Sequence, residues 1–259
     1  MNLAAAATPQ PDLRLAVVLV LLVAVAVAAS YAGGLGVERE QIVAAVRAVV
    51  QLGVVSLVIA AALQSLLWSL AFVGLMYLVA SFTAARRLDV PPHEWPWVMV
   101  AVAAGAAPVL LLILGSGVVP FTGPGVLPIA GIVIGNTMTA ATLTGRRAFD
   151  EITGQFGSYE AGLALGLPSP EAAYEVVRPT AREALHPGLD QTRTVGLVTL
   201  PGAFIGVLLG GGTALEAGAA QVLVLLGLMA GQALTAAVLL RLVAGGHLVR
   251  AGLADRYPR

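Results

Sequence analysis

The apolar residues of this chain fall in blocks of about 20, the length an α-helix needs to cross roughly 30 Å of hydrocarbon. Seven such blocks can be read: Leu13–Tyr31, Gln41–Ala62, Ser65–Ala84, Pro96–Gly115, Gly125–Leu143, Thr192–Gly212 and Glu216–Val243. Charged residues make up only 11% of the sequence, against about 25% in soluble domains. The expectation is an all-α, polytopic membrane protein of about seven transmembrane helices, with residues 1–259 forming one transmembrane domain. Leu15–Ala29 could also be a signal-peptide core with Ala26-Val27-Ala28 as its cleavage site. The long preceding tail carries Asp12 and Arg14 but no positive run, so a retained helix is expected.

All fourteen basic residues are arginine. Cytoplasmic loops are enriched in basic residues, which sets orientation. With seven spans and the N-terminus outside, every arginine except Arg14 lies inside or at the inner boundary, and the outer loops Leu63–Gln64 and Ser116–Pro124 carry no charge. This places the C-terminus in the cytoplasm of a plasma (inner) membrane protein. A re-entrant segment near Gly115–Pro128 stays open.

Between the fifth and sixth blocks, residues 145–191 hold eleven charged side chains. Phe149, Ile152, Phe156 and Tyr159 recur at helical spacing. Ser169-Pro170-Glu171 suits a helix start, with Ser169 at the cap and Pro170 and Glu171 in the first turn. Pro187-Gly188 is read as the end of that helix. The segment is therefore expected to be a cytoplasmic helical hairpin joined by a Gly-Leu-Pro turn.

Within it, Glu160-Ala161-Gly162 is followed by Gly166 and, nine residues on, by Val176, Val177, Arg178 and Pro179. This resembles the coupling motif of ABC-transporter membrane subunits: Glu-Ala-Ala, three residues, Gly, nine residues, Ile, any residue, Leu, Pro. Gly162 replaces the second Ala, Val176 the Ile and Arg178 the Leu. Small residues allow a tight turn that can enter a groove on a partner. The plainer alternative is an ordinary surface hairpin. The run Ile129–Ala140, the hairpin, and Thr194–Gly202 together are similar to the Fet-type family of iron-export ABC permeases, which includes plant aluminium-tolerance membrane subunits; Arg47–Leu52 matches as well. The resemblance covers most of the chain. It implies a permease domain that dimerises, exports metal in bacteria and works with a separate ABC ATPase. A sugar-nucleotide substrate has been linked to the plant members. It implies no cofactor on this chain, with ATP and Mg on the partner subunit, and no enzymatic activity of its own.

The residues agree on one point independently. A P-loop needs a lysine on the phosphates, and this chain has none. Zero net charge gives no sign of a nucleic-acid partner, and the absence of cysteine removes thiolate chemistry.

Ionisable residues inside a membrane cost about 2.5–3.5 kcal/mol at a helix centre and tend to mark pathways. No Asp, Glu or His is read deep in any block, which argues against proton coupling and against a tight divalent-cation site. No metal ligands can be named. Arg47, Gln51, Asn136, Met138 and Thr139 are the candidates for lining a translocation path; the alternative is that the polar ones join helices by hydrogen bonds. Arg47 does not suit a cation route. Either it reaches the inner surface to pair with Glu38 or Glu40, or the substrate is anionic or chelated. Pro201-Gly202 is expected to bend the sixth helix, as a hinge or a fixed kink. The rival functions are a stand-alone secondary transporter or channel, and a membrane scaffold that recruits a soluble partner.

Overall fold

The computed structural model describes residues 12–250 and Gly252; Arg256 and Arg259 lie outside the described residues. Ten α-helices account for the fold: α1 Leu13–Ala32, α2 Glu38–Ala62, α3 Leu66–Leu88, α4 Trp95–Gly115, α5 Gly123–Gly154, α6 Phe156–Ala164, α7 Ser169–Val177, α8 Thr180–Thr194, α9 Gly202–Leu209 and α10 Ala214–Ala244. Six of them, α1 to α5 and α10, are long and apolar enough to cross a bilayer. The chain is a polytopic membrane protein.

Local chemistry explains the helix starts. Asp12 caps α1 by accepting from the Leu15 amide at 2.9 Å. Thr213 and Glu216 form a reciprocal capping box at the start of α10. Pro lies in the first turn of α4, α5 and α7, where its missing N–H costs nothing. Between α4 and α5 runs a short loop with no re-entrant helix.

The body is built from α3, α4, α5 and α10. Its tightest crossing lies at Gly105, Thr137, Gly231 and Thr235. A Cβ on Gly105 would overlap the Thr235 hydroxyl and the Gly231 carbonyl oxygen. Small residues here let three helix backbones meet, the usual basis of helix association in lipid. By contrast α1 and α2 pack on each other, with the Gln41 amide donating to Ser30 at 2.8 Å. They are almost wholly unburied, so this helix pair stands off from the body.

Polar contacts gather one set of helix ends together. Arg146 donates to the Arg87 carbonyl at 3.1 Å, Arg250 pairs with Asp150 at 3.1 Å, Arg147 with Glu183 at 3.6 Å, and the Val249 amide donates to Glu94 at 2.8 Å. The C-terminal ends of α3, α5 and α10 and the N-terminal ends of α4 and α8 therefore share one arginine-rich end. Gly123, Ser69 and Leu63 meet at the far end. Helix α10 starts at the far end and returns, so residues 180–213 must cross in the opposite sense.

That crossing is where the structure departs from expectation. Thr192–Gly212 is not one spanning helix. Helix α8 runs straight through Pro187-Gly188, which was expected to end a helix, and stops at Thr194. Residues 195–201 are irregular, with a bridge between Val195 and Thr199, and α9 follows with only eight residues. Pro201 is the N-cap of α9 with extended backbone, so Pro201-Gly202 starts a helix instead of bending one. Proline lacks the donor that a continuing helix requires.

Candidate functional site

The arginine-rich end carries the hairpin. Helix α5 is 32 residues long, about 48 Å, and so projects beyond the hydrocarbon. Its last turns and α6 carry the predicted stripe: Phe149, Ile152 and Tyr159 are buried and Phe156 is half-buried, packed with Ala172, Ala173 and Val177 of α7. The Tyr159 and Ser169 hydroxyls lie 2.9 Å apart between the two helices of the hairpin, near its turn. Ser169 is thus the first residue of α7, its hydroxyl engaged by Tyr159, with Pro168 at the cap.

The turn explains two of the motif residues. Gly166 has φ +89°, a left-handed conformation that costs other residues about 1–2 kcal/mol. The Leu167 amide reaches back to Gly162 at 3.1 Å and the Gly166 amide to Leu163 at 2.9 Å, a Schellman ending. Gly162 faces Ala172, and a Cβ there would come within 3.0 Å of the Ala172 Cβ. Close approach of α7 accounts for glycine where the resembled motif has a second alanine. Glu160, Ala161, Gly166, Arg178 and Pro179 are exposed; Arg178 pairs with Glu175 at 3.4 Å. Val176 is half-buried and packs inward. Leu165, at the tip, is 85% exposed. The hairpin thus presents an exposed apolar tip with charged side chains along its flanks, its base fused to α5 and α10.

The interrupted crossing forms a second unusual region. Gly188 of α8 lies against the Gln232 side chain of α10, closely enough that a Cβ would overlap Gln232 Oε1. Gln232 lies twelve residues before the end of α10, about 18 Å into the bundle. Its amide donates to Asn136 Oδ1 of α5 at 3.3 Å. Asp190 and Arg193 lie beyond Glu183, by roughly 10 and 15 Å along α8, farther from the arginine-rich end. They pair at 3.4 Å and their side chains are 63% and 67% exposed. The sequence reading puts Asp190 in the cytoplasmic segment 145–191; the structure sets it along α8, away from the arginine-rich end. In sequence these residues sit outside or at the edge of the apolar block; only the docking of α8 on α5 and α10 carries them inward.

The predicted path residues divide into two groups. Arg47, Gln51 and Met138 line one cavity of about 910 Å³ between α2, α3 and α5, which Arg86 and Arg87 also line. Asn136 lies on another face, bonded to Gln232. Thr139 is exposed and bonds the Gly135 carbonyl at 3.0 Å. Among the described residues Arg47 pairs with neither Glu38 nor Glu40. The described residues contain no group of three side chains able to hold a metal ion.

The architecture defines a multi-pass helical membrane protein with a helical hairpin at its arginine-rich end and one interrupted crossing. The model of the Uncharacterised protein family (UPF0014) matches residues 13–246, and the chain belongs to this family. It is 34% identical over 198 residues to UPF0014 membrane protein STAR2 of Oryza sativa subsp. japonica, covering 76% of this chain and 70% of that one. It is 33% identical to Protein ALUMINUM SENSITIVE 3 of Arabidopsis thaliana, covering 76% and 72%. Against the Probable iron export permease protein FetB of Escherichia coli it is 28% identical, covering 70% and 71%. No solved structure matches.

Proposed function

We propose that this chain is the membrane-spanning permease subunit of an ABC transporter, working as a homodimer with a separate cytoplasmic ATPase. The hairpin carries the reading. Its exposed apolar tip at Leu165, the charges at Glu160, Glu171 and Arg178, and its fusion to α5 and α10 are what a lever driven by a partner requires. By the positive-inside rule the arginine-rich end is read as cytoplasmic, with the N-terminus outside and the C-terminus inside, and the plasma (inner) membrane is the location proposed with it.

Dimerisation is supported by the interrupted crossing. Irregular backbone at membrane depth is tolerated only where protein buries it or where it lines a water-filled cavity. Residues 195–201 are open, with Leu197 90% exposed, and Asp190 and Arg193 lie beside them. A second copy facing this surface would cover the backbone and enclose the charges in an aqueous route, flanked by Asn136 and Thr139. The break before Pro201-Gly202 is then the natural flexing point.

Metal export is the reading suggested by the name of the Escherichia coli relative. With Asp190 as the carboxylate at depth, and no three-ligand group among the described residues, such a cargo would cross loosely held or chelated.

Affinity purification of the tagged chain in mild detergent tests the core of the proposal. An ATPase should copurify with the wild type and be lost from a Glu160→Ala, Leu165→Asp variant that remains monodisperse. If neither form retains an ATPase, the hairpin is no coupling element, and a stand-alone transporter or scaffold takes its place.

A further inference from the structure

The cavity lined by Arg47, Arg86 and Arg87 does not end among the arginines. It continues into an apolar groove of about 450 Å³ between α2, α3 and α5; Val79, Thr83 and Met138 line both compartments. The groove is walled by Val55, Val58, Phe72 and Leu75 and floored by Gly131 and Gly135. It exists because the α1–α2 pair stands off from the body. Its two ends differ in chemistry. Three guanidiniums and the Gln51 amide mark the arginine-rich end, while the remainder toward the far end is hydrocarbon. Among the described residues no carboxylate pairs with any of the three arginines.

Arg86 and Arg87 have a plain explanation by themselves, since cations are favoured in the last turn of a helix and at the cytoplasmic end of a span. Arg47 does not. It sits on a different helix, nine residues into α2, about 14 Å from its start, and points into the same cavity. Unpaired guanidiniums at that depth call for an anion, and an adjoining hydrocarbon slot calls for an acyl chain. Basic pockets between transmembrane helices bind anionic headgroups by this logic.

We propose that the groove between α2, α3 and α5 is a binding site for one anionic phospholipid, its phosphate on Arg47, Arg86 and Arg87 and one acyl chain along Val55, Val79 and Gly135. The lipid fills the gap left by the α1–α2 pair and ties that pair to the body. Access is lateral, from the leaflet at the arginine-rich end. The site does not depend on an ATPase partner or on any transported cargo.

Purified full-length protein in nanodiscs of phosphatidylcholine with a minority of phosphatidylglycerol provides the test. Lipid retained after extraction into detergent is read by native mass spectrometry. The wild type should retain phosphatidylglycerol selectively, at one molecule per chain. An Arg47→Gln, Arg86→Gln, Arg87→Gln variant should retain about a hundredfold less, at roughly fivefold per charge, and the three-lysine counterpart should recover it. A Cβ at Gly135 meets no neighbour within 4 Å, so Gly135→Leu leaves the arginines and the backbone in place while its side chain blocks the slot, and it should also abolish retention. Equal retention of both lipids, or an unchanged arginine variant, overturns the proposal. Displacement by inorganic phosphate with Gly135→Leu inert would make this a free-anion site. Cross-linking between copies through Val55→Cys, in a chain with no other cysteine, would make it an interface with a second copy.

Discussion

Two glycines carry the sharpest residue-scale consequences. Gly166 holds a left-handed turn, so Gly166→Val should strain the hairpin by about 1–2 kcal/mol. The folded body should survive, because the tip is exposed. The expected outcome is a normal elution profile with sharply reduced ATPase copurification. Gly105 is different. Its substitution to Ala would force apart α4 and α10 at the tightest crossing in the body, with backbone on the opposing side. Overpacking typically costs about 1–3 kcal/mol and occasionally more, and a thermal unfolding scan in detergent should show either a large drop in Tm or aggregation. Both glycines are plain letters in the sequence. The turn at Gly166 could be anticipated from its place in the motif, but Gly105 could not, since nothing local to α4 reveals that Thr235 lies against it.

At the scale of elements, the interrupted crossing is the feature that most separates this fold from a simple bundle. Helix α8 is too polar to cross a membrane alone, and it reaches depth only because its small face docks on α5 and α10. The exposed face then carries Asp190, Gln191 and Arg193 inward. If this face lines water, Asp190→Cys in the cysteine-free background should react quickly with a charged, membrane-impermeant maleimide in nanodiscs. Leu226→Cys, exposed midway along α10, should resist it as a lipid-facing control. Equal protection of both positions would mean that α8 is buried against a partner without an aqueous route. The hairpin gives the opposite lesson. Its aromatic stripe, Gly-Leu-Pro turn and charged flanks are local signals, and the first helix and the turn lie close to where those signals put them, while the second helix breaks after Val177 and a separate helix runs through Pro187-Gly188.

For the whole molecule, the uncovered surface of residues 195–201 sets the expectation of a second copy. Leu197→Cys should form a disulfide between two chains under mild oxidation in membranes, at an efficiency unaffected by dilution with lipid. Failure of that cross-link, together with a monomeric mass in nanodiscs, would remove the homodimer and with it the central route.

The membrane class was determined by the sequence, because runs of about 20 apolar residues have one stable solution in a bilayer, the backbone-satisfied helix. So was the location of the hairpin, because turn residues, helix starts and the spacing of Phe149, Ile152 and Tyr159 act within a few residues of one another. Much of the clustering of arginines at one end was equally legible, since it depends on counting spans and not on packing; Arg193, set along α8 away from that end, is the exception. Tertiary structure alone decided the rest. The block Thr192–Gly212 is apolar enough to read as a span, yet Gly188 meets Gln232 from a distant helix, and that contact lets a polar helix do half the crossing. Arg47 and Arg86 lie far apart in the chain and line one cavity only because α1 and α2 stand away from the body. Periodicity along a chain reports which face of a helix avoids water. It does not report which helices withhold contact, and it is the withheld contacts that leave the groove and the open crossing.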